Sequence, residues 1–212
     1  LRTETTDDRG KYKITLDEFL FDDESKIWIT VHVTAESLYQ MTPVPEWWHT
    51  KGVKVITLES ERNIPGAKSI DYIPAIVALK AARDQDALEA LYVNRNGMVL
   101  EGTTSNLFIF SGNTLITPGK EILGGITRQT VIGMLKDRQI KVHERHIMPE
   151  ELEGFQQCWL TGTAAEVTPV RQLDHMVIGN GGCGPITKQL QSAYFGLFNG
   201  TTEDKWGWLE PV

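Results

Sequence analysis

Leu100-Glu-Gly-Thr-Thr-Ser-Asn-Leu-Phe-Ile-Phe110 ends one apolar strand pattern and begins the next. Each of these two strands is also joined to another neighbour by a hairpin turn signal. The signals are Arg95-Asn-Gly97 on the N-terminal side and Ser111-Gly-Asn113 on the C-terminal side. Successive hairpins of this kind predict a sheet in which most neighbouring strands are antiparallel.

Helix patterns occur around these hairpins without regular alternation of strand and helix. One helix is predicted after Asp71 as its N-cap, with Pro74 in the first turn. Its apolar face consists of Ile73, Ile76 and Val77, with Lys80 at the edge. Two more helices are predicted, over 127–138 and between the signals Gly184-Pro185 and Asn199-Gly200. Because no Gly-x-Gly-x-x-Gly follows a strand, we predict an α+β domain on a curved, largely antiparallel sheet rather than a doubly wound one.

The first 40 residues have the pattern of strands. Residues 26–34 are rich in β-branched side chains and carry apolar residues at alternate positions. Met41-Thr-Pro-Val-Pro-Glu46 follows, and its two prolines favour a stiff, extended chain. We therefore predict part of a smaller domain at 1–40, a linker at 41–50 and a large domain at 51–212. The alternative is that 41–50 is a surface loop within one domain.

Composition and charge exclude several classes of protein. The chain has 212 residues, of which 41% are hydrophobic and 23% charged, which is typical of a globular protein and not of a disordered chain or a coiled coil. Acidic residues outnumber basic ones by 28 to 21, and the net charge of −7 argues against nucleic acid as the main partner. The sequence has no apolar run of membrane-span length, and its first residues do not resemble a signal peptide. Cys158 and Cys183 lack CxxC spacing and are interpreted as reduced thiols, so we expect a cytoplasmic protein that binds neither nucleic acid nor membrane.

Two glycine-containing segments have features of an anion-binding site. Leu123-Gly-Gly-Ile-Thr-Arg128 leads into a predicted helix, whose first N–H groups are unpaired and lie at the positive end of the helix dipole. Thr161-Gly-Thr-Ala-Ala165 follows a predicted strand, and its small residues allow a ligand to approach the backbone closely. The competing explanations are an ordinary helix start for the first segment and a bend between strands for the second.

Two charged side chains complete a set of groups suited to one ligand. Lys68 follows Pro65-Gly-Ala67, which leaves no bulky side chain near its amine, and in a dry pocket such an amine becomes a nucleophile for carbonyl groups. Glu101 ends an apolar strand, where it is able to accept a proton or a charged N–H from a ring. The competing explanations are a solvated surface lysine and a glutamate that points to water. Together, an amine, an acid and an anion site match the aldehyde, ring nitrogen and phosphate of pyridoxal 5′-phosphate.

The order of six motifs points to a family. They are Gly66-Ala-Lys-Ser69 with Tyr72, Leu100-Glu-Gly-Thr-Thr-Ser-Asn-Leu-Phe108, Thr117-Pro118, Leu123-Gly-Gly-Ile-Thr-Arg128, Glu144-Arg145 and Thr161-Gly-Thr-Ala-Ala-Glu-Val-Thr-Pro-Val170. With these motifs the chain resembles the class IV aminotransferases from about residue 50 to its end. This family includes branched-chain amino acid aminotransferases, D-amino acid aminotransferases and aminodeoxychorismate lyases. The ending at 183–209 resembles the bacterial branched-chain enzymes, whereas the Lys68-to-Tyr72 spacing and the Glu-Gly-Thr-Thr-Ser-Asn run resemble the D-amino acid branch.

The resemblance implies a role for each matched residue. Lys68 would bind pyridoxal 5′-phosphate covalently and carry the proton in catalysis, Glu101 would pair with the ring nitrogen, and Tyr72 would bind the ring hydroxyl oxygen. The other cofactor contacts implied are Leu123 on the ring face, Gly125, Ile126, Thr127 and Thr163 around the phosphate, and Thr103, Thr104 and Ser105 on the opposite side. The implied substrate-binding residues are Arg2, Thr163 and Ala164, although Arg2 is also explained as a surface arginine at a strand end.

The resemblance also implies a fold and a reaction. The fold is that of D-amino acid aminotransferases: a large curved-sheet (pseudobarrel) cofactor domain, preceded by part of a smaller α/β domain whose earlier part, with a phosphate-binding arginine, we expect to be absent. The reaction is transamination between branched-chain or similar apolar amino acids and 2-oxoglutarate, in a homodimer or higher homo-oligomer. The competing hypotheses are D-amino acid transamination or aminodeoxychorismate lyase activity on the same fold, and a catalytically silent, truncated relative.

Overall fold

The computed structural model describes residues 44–209 and, before them, the backbone of two short strands at 2–5 and 12–15. The chain divides into two compact units, Leu1–Pro43 and Val44–Val212. In the first unit, β1 (Arg2–Thr5) pairs antiparallel with β2 (Tyr12–Thr15). The strand predicted at 26–34 and residues 41–43 of the predicted linker lie outside the described residues.

The second unit is a curled mixed sheet with helices packed on it. Its strands β3 to β11 are, in chain order, Val53–Glu59, Glu89–Val93, Val99–Gly102, Asn106–Ser111, Thr114–Thr117, Lys141–Glu144, Gln157–Gly162, Glu166–Leu173 and Met176–Val177. Its helices α1 to α4 are Glu46–Lys51, Ile73–Arg83, Ile126–Asp137 and Pro185–Phe198, and a 3-10 turn occupies Pro149–Leu152. None of the helices in the described part of the chain has the length and apolar character needed to cross a membrane.

The strand order confirms the predicted α+β class. The order is β5-β4-β3-β10-β9-β6-β7-β8, with β11 paired to β10. The predicted hairpins are present as β4–β5 and β6–β7, and β9 pairs antiparallel with both β6 and β10. Three pairs are parallel, namely β3–β4, β3–β10 and β7–β8, so the sheet is more mixed than the sequence predicts.

Strand β6 lies at the centre of the core because both of its faces are buried. Leu107 and Ile109 belong to one apolar cluster, whereas Phe108 and Phe110 belong to a second cluster that also includes buried side chains of α3 and α4. The Phe108 ring stacks on Trp159 of β9 with 5.7 Å between centroids. Packing on both sides fixes the ends of β6 and β9, where the candidate site is found.

Helix α2 buries a different face from the predicted one. Ala78 and Ala82 are fully buried against the sheet, whereas Ile73, Ile76 and Val77 are 73%, 63% and 60% exposed. The alanines allow the helix to approach the sheet closely, and this leaves the larger side chains on the outside. The face on which the sequence places Ile73, Ile76 and Val77 is therefore the exposed one, and it leaves an apolar surface open.

The start of α2 also differs from the prediction. The N-cap residue is Tyr72, and its side chain makes no capping hydrogen bond. The Asp71 carboxylate instead accepts a hydrogen bond of 2.8 Å from the Asn63 amide. Pro74 does lie in the first turn, as predicted, because its missing N–H costs nothing there.

Helix α1 occupies the second half of the range predicted as a linker and ends one residue beyond it, at Lys51. His49 Nδ1 lies 3.3 Å from the Val167 carbonyl oxygen, and His49 Nε2 lies 3.1 Å from Glu166 Oε2. The Gln191 amide of α4 donates to the His49 carbonyl at 3.1 Å. These contacts make α1 part of the second unit, while a separate small domain at 1–40 stays a prediction.

Candidate active site

A cavity of about 350 Å³ lies where the ends of β5, β6 and β9 meet the first turn of α3. This volume is in the range of small-molecule sites. The predicted cofactor and substrate residues that line it are Lys68, Tyr72, Glu101, Thr103, Thr104, Ser105, Leu123, Gly125, Ile126, Thr127, Thr163 and Ala164. The structure thus brings residues from four separate segments to one cavity. Arg2 lies in β1, and its side chain is outside the described part of the structure.

Glu101 is a buried carboxylate in the wall of this cavity. The backbone N–H of Leu123 donates to it at 3.1 Å, and the Asn106 amide donates to Oε2 at 3.0 Å. Burial raises the pKa of Glu101 to about 7, and the Arg62 charge opposes this rise. A cationic N–H bound nearby would therefore shift Glu101 towards its ionised form.

Arg62 contacts Glu101, although the sequence analysis gives it no role. Its Nε lies 2.8 Å from Glu101 Oε1, but this N–H has no hydrogen-bond partner, so the contact is one between charges. Its Nη2 donates to the carbonyl oxygen of Thr103 at 3.0 Å. No spacing rule identifies this arginine, because the folded chain brings its loop to Glu101 of β5, 39 positions further along the chain.

The first turn of α3 presents backbone N–H groups to the cavity. Its N-cap residue, Gly125, has no side chain to occupy them, and a Cβ at Gly125 would collide with Oδ1 of Asn106. Arg128 fixes this turn, because its Nη2 donates to the Pro118 carbonyl at 2.8 Å and pairs with Glu144 at 2.9 Å. The first residues of this helix, Ile126 and Thr127, line the cavity, and a helix N-terminus of this kind is suited to an anionic group.

Lys68 and Tyr72 stand at the open side of the cavity. Lys68 is exposed, so the dry surroundings expected for its amine are not found. Tyr72 is 49% exposed. Both side chains are accessible to a ligand that enters the cavity.

Thr161 is a second residue that the sequence analysis did not assign. It is fully buried, lines the cavity and has a hydroxyl for which the described part of the chain offers no hydrogen-bond partner. It lies opposite Asn106 in the β6–β9 ladder, so the two side chains share one face of the sheet. The sequence signal that points to it is its place in the glycine-containing segment Thr161-Gly-Thr-Ala-Ala165. An unpaired buried hydroxyl is costly, which favours a ligand that supplies a partner.

Comparison with solved structures places this fold among branched-chain amino acid aminotransferases. The chain is similar to the Escherichia coli enzyme, with a TM-score of 0.74 and 36% identity, over 79% of this chain and 58% of that one. It is also similar to the archaeal enzyme of Thermoproteus uzoniensis with norvaline, with a TM-score of 0.71 and 34% identity, over 76% and 56% of the two chains. A third similar structure, at a TM-score of 0.70 and 31% identity over 77% and 57%, is a branched-chain amino acid aminotransferase complexed with N-(5′-phosphopyridoxyl)-L-glutamate. These similarities confirm the predicted fold.

Sequence comparison agrees with the structural one. The branched-chain-amino-acid aminotransferase of Salmonella typhimurium is 42% identical over 67% of this chain and 47% of its own length. The probable branched-chain-amino-acid aminotransferase of Aquifex aeolicus is 44% identical over 74% and 50%. The chain thus spans about half the length of these curated relatives. The profile of the amino-transferase class IV family matches residues 4–173, and the chain therefore belongs to that family.

Proposed function

We propose that the chain binds pyridoxal 5′-phosphate and transfers amino groups from branched-chain amino acids to 2-oxoglutarate. The observation that carries this proposal is that Lys68, Glu101 and the first turn of α3 line one cavity. The activity named for the relatives supports the choice of substrate, and the phosphopyridoxyl ligand named for one of the similar structures supports the choice of cofactor.

The residues around the cavity fit this cofactor. The Glu101 carboxylate suits a protonated ring nitrogen, since a cationic partner offsets the cost of burying the acid. The uncapped first turn of α3 suits a phosphate. Leu123 offers an apolar surface for the ring, and the unpaired Thr161 hydroxyl can bind one of the ligand's polar atoms.

The chain's own residues then have separate tasks. When bound, pyridoxal 5′-phosphate supplies a carbonyl that reacts with amines and a ring that accepts electrons. The Lys68 amine holds the cofactor covalently and, once released, moves the proton at the substrate Cα. Glu101 keeps the ring nitrogen protonated, and the N–H groups of the turn at Thr163 and Ala164 bind the substrate carboxylate. A homodimer in the cytoplasm is the state we propose for the working protein.

Reduction with borohydride tests the covalent contact. Pyridoxal 5′-phosphate is added to the 212-residue chain, the visible spectrum is recorded, and the reduced protein is digested and mapped by mass. We expect the modification on Lys68. Lys80, an exposed lysine on α2 paired with Asp84 at 2.6 Å, is the internal control and should stay unmodified.

Each competing hypothesis has its own outcome in these assays. A chain that gives no adduct would be the silent relative. Use of D-alanine as amino donor would favour D-amino acid transamination, and release of pyruvate from aminodeoxychorismate would favour lyase activity.

The exposed face of α2 supports a homodimer. Ile70, Ile73, Ile76 and Val77 form this α2 surface, each at least 60% exposed. A contiguous apolar patch of this kind is typical of an interaction site. We expect Ile76→Asp to weaken self-association at least about tenfold, because burying an unpaired charge in an interface costs several kcal/mol. Sedimentation equilibrium measures this, with Val177→Asp as the control at an exposed site on β11. An Ile76→Asp chain that remains a tight dimer would contradict the assignment.

A further inference from the structure

Glu89, the first residue of β4, is a buried carboxylate outside the proposed chemistry. It is 5% exposed and does not line the cavity. Its oxygens accept hydrogen bonds from the N–H groups of Ala90 at 3.2 Å and Thr103 at 3.1 Å. They also accept from the hydroxyls of Thr103, Thr104 and Ser105. One side chain therefore holds the whole hydroxyl run between β5 and β6.

The β5–β6 loop connects Glu89 to Arg62. Thr103 gives its N–H and hydroxyl to Glu89, and its carbonyl oxygen accepts the Arg62 Nη2 hydrogen bond at 3.0 Å. The adjacent Nε of the same guanidinium lies 2.8 Å from Glu101 Oε1. Because Arg62 comes from a loop, its orientation depends on where the Thr103 carbonyl is held.

Gly102 makes the close approach of Glu89 possible. A Cβ at this position would meet the Glu89 side chain and the Ser105 hydroxyl. The end of β5 is therefore shaped so that the carboxylate can reach under the loop. This arrangement indicates that the contact is built into the sequence and is not incidental.

We propose that Glu89 is a positioning residue of this site, which acts on Glu101 through Thr103 and the Arg62 guanidinium. The importance of Glu101 for a ring nitrogen rests on the proposed function. The positioning itself is a property of the folded chain and holds whether or not a cofactor is bound.

Several charged groups face Glu101, and their charges decide whether a substitution raises or lowers its pKa. Arg62 and, more weakly, Arg128 lower its pKa. Burial raises the pKa of the nearby Tyr92, Arg62 opposes that rise, and the charges of Glu89 and Glu101 add to it. Removal of the Glu89 charge would lower the pKa of Glu101 directly, whereas a displaced Arg62 would raise it. Only the second effect requires Arg62, so the two can be separated by a double-mutant cycle.

The test is the titration of Glu101 in the ligand-free, 212-residue chain. Infrared difference spectra follow its carboxyl band, which Glu101→Gln identifies by its loss. The effect of Glu89→Met on the midpoint is measured with Arg62 present and again in an Arg62→Met background. We expect the two changes in the Glu101 midpoint to differ by on the order of one pH unit. The change should be the more positive of the two in the chain that keeps Arg62. Equal changes in both backgrounds would overturn the proposal.

Two further variants keep the test decisive. Glu89→Gln retains an uncharged acceptor and is used if Glu89→Met does not fold. The change that it causes in the Glu101 midpoint is again compared between the chain with Arg62 and the Arg62→Met chain. A difference of the same sign supports the proposal, and identical changes count against it. Glu151→Gln removes a carboxylate that does not line the cavity and that forms an ion pair with Arg145 at 2.7 Å. This variant should leave the titration midpoint of Glu101 unchanged. If the chain binds no pyridoxal 5′-phosphate, the proposed function fails, while the cycle still decides the role of Glu89.

Discussion

Replacement of Lys68 by alanine is expected to reduce kcat for transamination at least about 10³-fold, because covalent binding and proton transfer are both lost. The side chain is exposed, so the free energy of unfolding should change by less than about 0.5 kcal/mol. Glutamate formation from 2-oxoglutarate with L-leucine as donor measures the first quantity, and urea unfolding measures the second.

The matched control is Lys80→Ala on α2. Lys80 is also an exposed lysine and forms an ion pair with Asp84, but it does not line the cavity. This variant should keep the wild-type kcat. Turnover near the wild-type rate in Lys68→Ala would mean that another amine carries the chemistry.

The Glu101→Gln variant is expected to gain stability relative to the wild type as the pH rises from about 4.5 to about 7. Burial raises the pKa of Glu101 from its ordinary 4.5 to about 7 in the folded chain. Glu101 of the wild type therefore makes its full contribution to the free energy of unfolding below about pH 4.5. This contribution is lost as the pH rises through about 7. Each pKa unit corresponds to ~1.4 kcal/mol, so the difference in unfolding free energy between the two proteins should change by about 3 kcal/mol.

Urea unfolding of both proteins at a series of pH values measures this difference. Glutamine does not titrate, so the effects of all other groups cancel when the two curves are subtracted. Glu166→Gln serves as the control, because this residue of β10 is partly exposed beside His49 and away from the cavity wall. Parallel stability curves for wild type and Glu101→Gln between pH 4 and pH 8 would show that burial does not control this acid.

The local features of the fold could be predicted from the sequence. The turns at Asn96-Gly97 and Gly112-Asn113 specify their hairpins, because tight turns depend on a few adjacent residues. Helix α4 begins at Pro185 and is capped at Asn199, as the terminal signals indicate. The predicted cofactor and substrate residues from Lys68 to Ala164 line one cavity. Their individual roles stay predictions.

Other features depend on contacts between distant segments and were not predictable. The parallel pairing of β7 with β8 spans helix α3, and no local pattern specifies it. The inner face of α2 is decided by the close approach that alanines allow, so the hydrophobic pattern alone gives the wrong side. Glu89 and Arg62 belong to no motif in the sequence, and Thr161 is marked only as part of the glycine-containing segment 161–165. Their surroundings become informative only when β4, β5 and β9 are assembled.

The parallel pair of β3 with β10 has a consequence for the order of folding. At this seam the Thr57 N–H donates to Asp174, a residue 117 positions further along the chain, at 2.8 Å. Closure of so long a loop is entropically costly, and contacts of this kind slow folding. The cavity is lined both by Lys68, which follows β3 in the chain, and by Thr163, which precedes β10. A ligand can therefore recognise the chain only after the seam has closed, so it would prolong the lifetime of the native state without accelerating its formation.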